Sequence, residues 1–207
     1  MMKMVALVFA IVIMTMASLG NGLPDDQSPE AAAKWVQQFP NAQPRFTRLH
    51  FYLNNILNKD PPASTPVAKA NTTDSTPETS YGLVRVIDAQ LTEQSLSDSP
   101  GAKVIGRCQG LYTFAAQEER ATLMTLNFVF TAGEFNGSTL SIFGRNLVTA
   151  KYREFSVIGG SGDLRMANGL GTASTYYRDP VFGDILEMSL AFYRYTLHRS
   201  GDHSSSI

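Results

Sequence analysis

Residues 133–146 read GEFNGSTLSIFGRN, an Asn136-Gly137 pair set between apolar runs. That pair is the strongest short-range signal for a β-hairpin, because both residues tolerate the positive φ of a tight turn. Strands are therefore expected on either side, at about 121–131 and 138–148. Asn136-Gly137-Ser138 is also an N-glycosylation sequon, which matters only in a chain that enters the secretory pathway.

Outward from this hairpin the pattern repeats. Short apolar runs predict further strands at about 47–57, 82–89, 103–115, 152–158, 163–176 and 185–197. They are separated by turn-rich segments such as SDSPG, AQEE, GGSG and DPVFGD. No amphipathic helical segment interrupts them. About eight strands at this spacing read as an antiparallel barrel or sandwich, and an eight-stranded barrel can hold one small ligand. Upstream, SPEAAAKWVQQF (28–39) offers Ser as N-cap, Pro at the first helical position and Pro40 as a stop. It reads as a short helix or a leader draped over the domain. Residues 58–80 are dominated by Pro, Ser, Thr, Asn and Asp, and read as a long exposed loop that carries a second sequon at Asn71-Thr72-Thr73.

The N-terminus, MMKMVALVFAIVIMTMASLGNGLPDD, has one Lys, an apolar run from Met4 to Met16, small residues and a Pro-Asp-Asp break. This is a signal-peptide pattern with cleavage after Gly20 or Gly22, since the run falls short of the ~20 residues of a spanning helix. The expected organisation is a signal peptide over 1–22, an extension over 23–46, a barrel over 47–198 and a disordered tail over 199–207. The balance of 17 basic against 18 acidic residues, with the basic ones dispersed, points to neither a nucleic-acid nor a membrane partner. A lone Cys108 excludes an internal disulfide framework and, within an apolar segment, reads as a packed small hydrophobe. His50, His198 and His203 show no ligand spacing with one another or with Cys108, so no metal site is expected.

Period two assigns a face to each strand side chain, and polar residues on apolar faces are the informative ones. Leu49, Phe51 and Leu53 lead to Asn55. Val84 and Val86 lead to Asp88, and Leu140 and Ile142 lead through Gly144 to Asn146. Arg153 shares its face with Phe155 and Val157. Singly, each reads as a turn cap or a rim residue. Together they point to a pocket with Asp88 and Arg153 in its lining and Phe51 and Asn55 as substrate contacts, because an isolated buried charge costs several kcal/mol unless paired or wet.

The segments HFYLNN (50–55), GLVRVIDAQLTE (82–93), VIGRCQGLYTFAAQEE (104–119), MTLNFVFTAGEFNGSTLSIFGRN (124–146) and REFSVIGGSGDLRMANGLGTAST (153–175) resemble the plant dirigent proteins, in order, from about Leu49 to Leu197. The resemblance implies an all-β, eight-stranded antiparallel barrel, secreted to the apoplast, glycosylated at Asn71 or Asn136, homotrimeric, and holding a small phenolic substrate. Lignan-forming members receive radicals from an external laccase or peroxidase and fix product stereochemistry. Pterocarpan synthases dehydrate isoflavanols through a quinone methide, and the wording of NGSTLSIFGRN and VIGGSGDLRMANG is nearer to their branch. Neither reaction implies a metal or organic cofactor, or an oxidase activity of the chain itself.

Carried over residue by residue, Tyr112 matches a pocket tyrosine that bonds a phenolic or quinone oxygen, and Arg153 a pocket arginine that stabilises developing negative charge. Asp88 matches the first acid of a DD pair whose second is replaced by Ala89. Asn54 and Asn55 stand where FYLHD is common, and Asn146 where lignan-forming members have a further aspartate. An amide orients a substrate but does not act as a carboxylate base. The reading is a dirigent-like protein that directs coupling or cyclisation of a phenylpropanoid-derived radical or quinone methide, with Asp88, Tyr112 and Arg153 as the reactive set and Asn55 and Asn146 as orienting groups. The alternative is a non-catalytic secreted defence or ligand-binding barrel that has lost its acid.

Overall fold

A computed structural model describes residues 28–197. The expected signal peptide and tail, with His198 and His203, lie outside the described residues. Helix α1 (Pro29–Gln38) begins where the sequence predicts: Ser28 caps it by accepting a hydrogen bond from the Ala31 N–H at 3.1 Å, and Pro29 opens the first turn. The helix buries no residue of its own. Trp35 stacks on Phe39, which meets Tyr195 edge-on at 5.1 Å, and these rings tether it to the last strand.

Nine strands follow: β1 (Gln43–Ile56), β2 (Ser64–Lys69), β3 (Leu83–Thr92), β4 (Val104–Phe114), β5 (Ala121–Phe130), β6 (Thr139–Leu147), β7 (Tyr152–Ser161), β8 (Asn168–Asp179) and β9 (Gly183–Thr196). Neighbours from β3 to β9 pair antiparallel in chain order, and β9 pairs with β1. The ring closes where β1 meets β3, through only three residue pairs, Tyr52–Thr92, Leu53–Leu91 and Asn54–Gln90. The result is the closed eight-stranded barrel that the sequence implies, with β2 as an extra strand.

That extra strand corrects the reading of 58–80 as an exposed loop. β2 adds to the Leu83–Ile87 half of β3, a 3-10 helical turn follows at Asn71–Ser75, and Ala63, Ser64, Thr73 and Thr79 are buried. Pro66 is compatible with the strand because β2 has no neighbour on its far side. The Asn136-Gly137 turn also differs from a two-residue hairpin. Strands β5 and β6 are joined by a longer connection in which Phe135 is buried, and positive φ occurs at Gly133 and Gly137 but not at Asn136. Its last turn is closed by the Ser138 N–H donating to the Phe135 carbonyl at 2.9 Å.

The interior divides along the barrel axis. At one end Phe51, Phe128, Phe130, Phe135, Leu164 and Phe192 fill the space, with Phe51 edge-on to Phe128 at 5.1 Å. Toward the other end each strand exchanges its apolar inner residues for polar ones.

Candidate functional site

Strand β1 makes that exchange at Asn55, beyond Leu53, and β6 at Asn146, beyond Ile142. Strand β7 makes it at Arg153, before Phe155. These side chains and Tyr112 of β4 line one cavity of about 410 Å³, the size of a small-molecule site. Its apolar wall includes Leu53, Leu83, Ile87, Phe114, Met124 and Leu186.

Arg153 is 5% exposed and held from three directions. Its Nε donates to Asn146 Oδ1 at 3.0 Å, and its Nη1 donates to the Ala150 carbonyl at 3.1 Å and to Thr175 Oγ1 at 2.9 Å. Asn146 is fixed in turn by donating Nδ2–H to Thr122 Oγ1 at 3.3 Å. Burial lowers the Arg153 pKa and the nearby Arg178 guanidinium adds to the effect, while Asp184 opposes it. An arginine starts so high that it stays a cation at neutral pH. Nη2 has no hydrogen-bond partner among the described residues, so a fixed cation keeps donors in reserve.

Asn55 is 8% exposed, and its Oδ1 is buried without a hydrogen-bond partner. Such an orphan acceptor costs free energy that a ligand donor restores. Its backbone is also constrained: Gly183 opens β9 at φ +119°, and a Cβ there would lie 2.1 Å from the Asn55 carbonyl oxygen. Tyr112 is half-buried, its hydroxyl 3.2 Å from Ser64 Oγ.

Two expected site residues lie elsewhere. On β3 the inward set is Leu83, Arg85, Ile87, Ala89 and Leu91, so Asp88 points outward with Val84 and Val86. There it pairs with Arg107, whose Nε donates to Asp88 Oδ1 at 2.5 Å. The error has a physical source: β3 carries valines on its outer face, and alternation alone does not choose between two apolar faces. Phe51 does point inward, but it is fully buried in the aromatic end and does not line the cavity. Cys108 is packed as expected, and burial pushes its thiol well above the usual range. Asn71 and Asn136 are both exposed.

Sequence reasoning missed five charged lining residues, Arg85, Arg120, Arg178, Asp179 and Asp184. Arg85 Nη2 donates to the Ser64 carbonyl at 2.9 Å and to Ser64 Oγ at 3.3 Å, and its Nε is buried without a partner. Arg120 stacks over Phe114 at 4.9 Å and donates to the Glu78 carbonyl and Ser80 Oγ. Arg178 pairs with Asp184 at 2.7 Å. Asp179, also at the rim, accepts from the Val181 and Phe182 N–H groups, which hold its carboxyl below the usual range. The only signal for Arg85 was a charge alternating with Leu83 and Ile87. Among the described residues no three His, Cys, Asp or Glu side chains converge as metal ligands.

Residues 46–193, nearly the whole barrel, match the family model for dirigent-like proteins. The chain is 41% identical over 132 residues to Dirigent protein 1 of Arabidopsis thaliana, covering 64% of this chain and 70% of the relative. It is 38% identical over 155 residues to Pterocarpan synthase 1 of Glycyrrhiza echinata, covering 73% and 79% respectively. Among solved structures, the pterocarpan synthase dirigent protein GePTS1 superposes with a TM-score of 0.66 at 32% identity, over 76% of this chain and 92% of that one. PsPTS1, also a pterocarpan synthase dirigent protein, gives the same TM-score at 35% identity, over 73% and 97%. Sequence and barrel thus agree over the same stretch, and the chain belongs to the dirigent-like protein family.

Proposed function

We propose that the cavity binds a phenylpropanoid-derived quinone methide or radical and directs its stereoselective cyclisation or coupling. The observation that carries this reading is the pairing of a buried, rigidly held guanidinium with an unpartnered amide oxygen in one cavity that also has an apolar wall. In a cyclisation, a substrate hydroxyl attacks the methide carbon and forms a C–O bond. The displaced electron pair moves to the quinone oxygen, which becomes a phenolate. Arg153 stabilises that oxygen electrostatically. Asn55 Oδ1 accepts from the attacking hydroxyl and sets the face of attack. The proton lost by the hydroxyl equals the one the phenolate takes up, so the step is balanced.

Asp88 has no place in this scheme, because it lies outside the barrel and is paired with Arg107. The carboxylates at the rim are engaged too, Asp184 by Arg178 and Asp179 by two backbone N–H groups. That absence of a free acid favours a second reading, a defence or ligand-binding barrel that holds a phenolic without turning it over. Supplying an isoflavanol, or coniferyl alcohol with an external oxidase, and resolving the products on a chiral column separates the two. Enantiomeric excess supports the first reading. A racemate despite measured binding supports the second.

The proposal includes a protein secreted to the apoplast, with sugar on Asn71 or Asn136, and a homotrimer. Self-association is supported by apolar side chains on adjoining outer strands: Val86, paired with Leu111, and Phe143, paired with Thr125, which itself pairs with Leu111. Val86, Leu111 and Phe143 are each more than two-fifths exposed in the single chain. Light scattering and mass spectrometry before and after glycosidase test assembly and sugar. A concentration-independent monomer or unmodified asparagines would count against those parts.

A further inference from the structure

The cavity is lopsided in charge. Arg85, Arg120, Arg153 and Arg178 line it, but of these only Arg178 forms an ion pair among the described residues. Asp179 spends its oxygen on two backbone N–H groups. Four guanidiniums therefore share one cavity with only two carboxylates, Asp179 and Asp184, and the lining keeps an excess of positive charge. Cations removed from water are costly without a counter-charge, and two carboxylates against four guanidiniums leave part of it for a ligand to supply.

Arg85 adds direction to this imbalance. It stands on the inner face of β3, between Leu83 and Ile87, and carries a buried, unpartnered Nε. Its Nη2 donates to Ser64 Oγ, which makes Ser64 an acceptor on that side. The Ser64 hydroxyl proton is then free to go to its other neighbour, the Tyr112 oxygen at 3.2 Å. Tyr112, already accepting, turns its own O–H away from Ser64. Arginine, serine and tyrosine thus form a chain of donors ending in the cavity, apart from the Arg153–Asn146–Thr175 group. Two separate donor sets suit a ligand with two separate oxygen functions.

We infer that the Arg85–Ser64–Tyr112 group is a carboxylate subsite, so that the preferred ligand is an aromatic acid bearing a phenolic hydroxyl and not the corresponding neutral alcohol. A carboxylate is already ionised at neutral pH, whereas a phenol near its reference pKa of about 10 is not. A carboxylate also accepts from a guanidinium N–H and a phenolic O–H through charge-assisted hydrogen bonds, stronger than those of a neutral hydroxyl. The inference rests on the proposed reading of the cavity as a phenol-binding site.

Calorimetric titration of the full chain with 4-hydroxy-3-methoxycinnamate and with 4-hydroxy-3-methoxycinnamyl alcohol, at pH 7, tests it without any variant. The acid is expected to bind about tenfold more tightly or better, in line with hydrogen bonds to a charged group. Arg85→Leu should bring the acid-to-alcohol ratio close to one, and Arg85→Lys should keep part of it. Equal affinities in the wild-type protein, or an Arg85→Leu variant that weakens both ligands equally, would overturn the inference. Unsubstituted cinnamate separates it from the reading it rests on. Arg85-dependent binding of cinnamate, with no gain from the phenolic hydroxyl, upholds the carboxylate subsite while refuting phenol recognition. Binding of none of the three ligands refutes both.

Discussion

The two ends of the barrel are built from the same strands and solve opposite problems. Where β1 carries Phe51 and β5 carries Phe128, rings meet edge-on and the axis is filled. Four positions further along β1 and six back along β5, at Asn55 and Thr122, the same inward faces carry polar groups and the axis is empty. A close-packed end holds the ring in shape, and the open end is thereby free to keep unbalanced charges and an orphan amide oxygen that would be costly in a small independent fold. Stability and recognition are divided between halves of each strand, not between domains.

Three changes probe that division. Phe128→Ala should have the largest effect, because it empties the middle of the packed end. A loss of about 3–5 kcal/mol is expected, read from urea unfolding. A loss below about 1 kcal/mol would mean that the aromatic end does not hold the barrel. Asn55→Asp acts on the open end, where a carboxylate replaces an amide of nearly equal size. On the proposed cyclisation it should raise turnover about 10²-fold through general acid-base help, and adding Arg153→Ala should remove the gain. Full activity in the wild-type protein, unaffected by either change, would end the idea that this position limits proton transfer.

The smallest effect belongs to the rim. Backbone N–H groups lower the Asp179 pKa from its ordinary 3.8, so ionised Asp179 favours the folded state above that value, and this contribution is lost as pH falls through the lower, folded value. Thermal midpoints of wild type and Asp179→Asn should therefore converge in acid. A gap that stays constant with pH would assign the turn to geometry and not to charge.

The sequence made the ring of strands legible because turn residues punctuate it at nearly every boundary, and it exposed Asn55, Asn146 and Arg153 because each interrupts an inward run that is otherwise apolar. Where both faces of a strand are apolar this logic has nothing to grip. Strand β3 is such a case: Val84 and Val86 on its outer face read as core, which drew Asp88 inward and hid Arg85. β2 was hidden for a different reason, since STPVAK is polar and proline-bearing and pairs along one edge only. The outward pairing of Asp88 with Arg107 and the capping of Asp179 depend on neighbours brought together by folding, which no spacing along the chain reports.

The pairing of β1 with β9 runs without interruption from Gln43–Thr196 to Ile56–Gly183. Among the described residues, the first strand thus finds its full-length partner only in the last. Until β9 has left the ribosome, β1 has at most the three pairs with β3 to hold it, and Asn55 has no wall opposite. Closure consequently waits for β9, and the cavity appears all at once when that strand docks, instead of growing strand by strand.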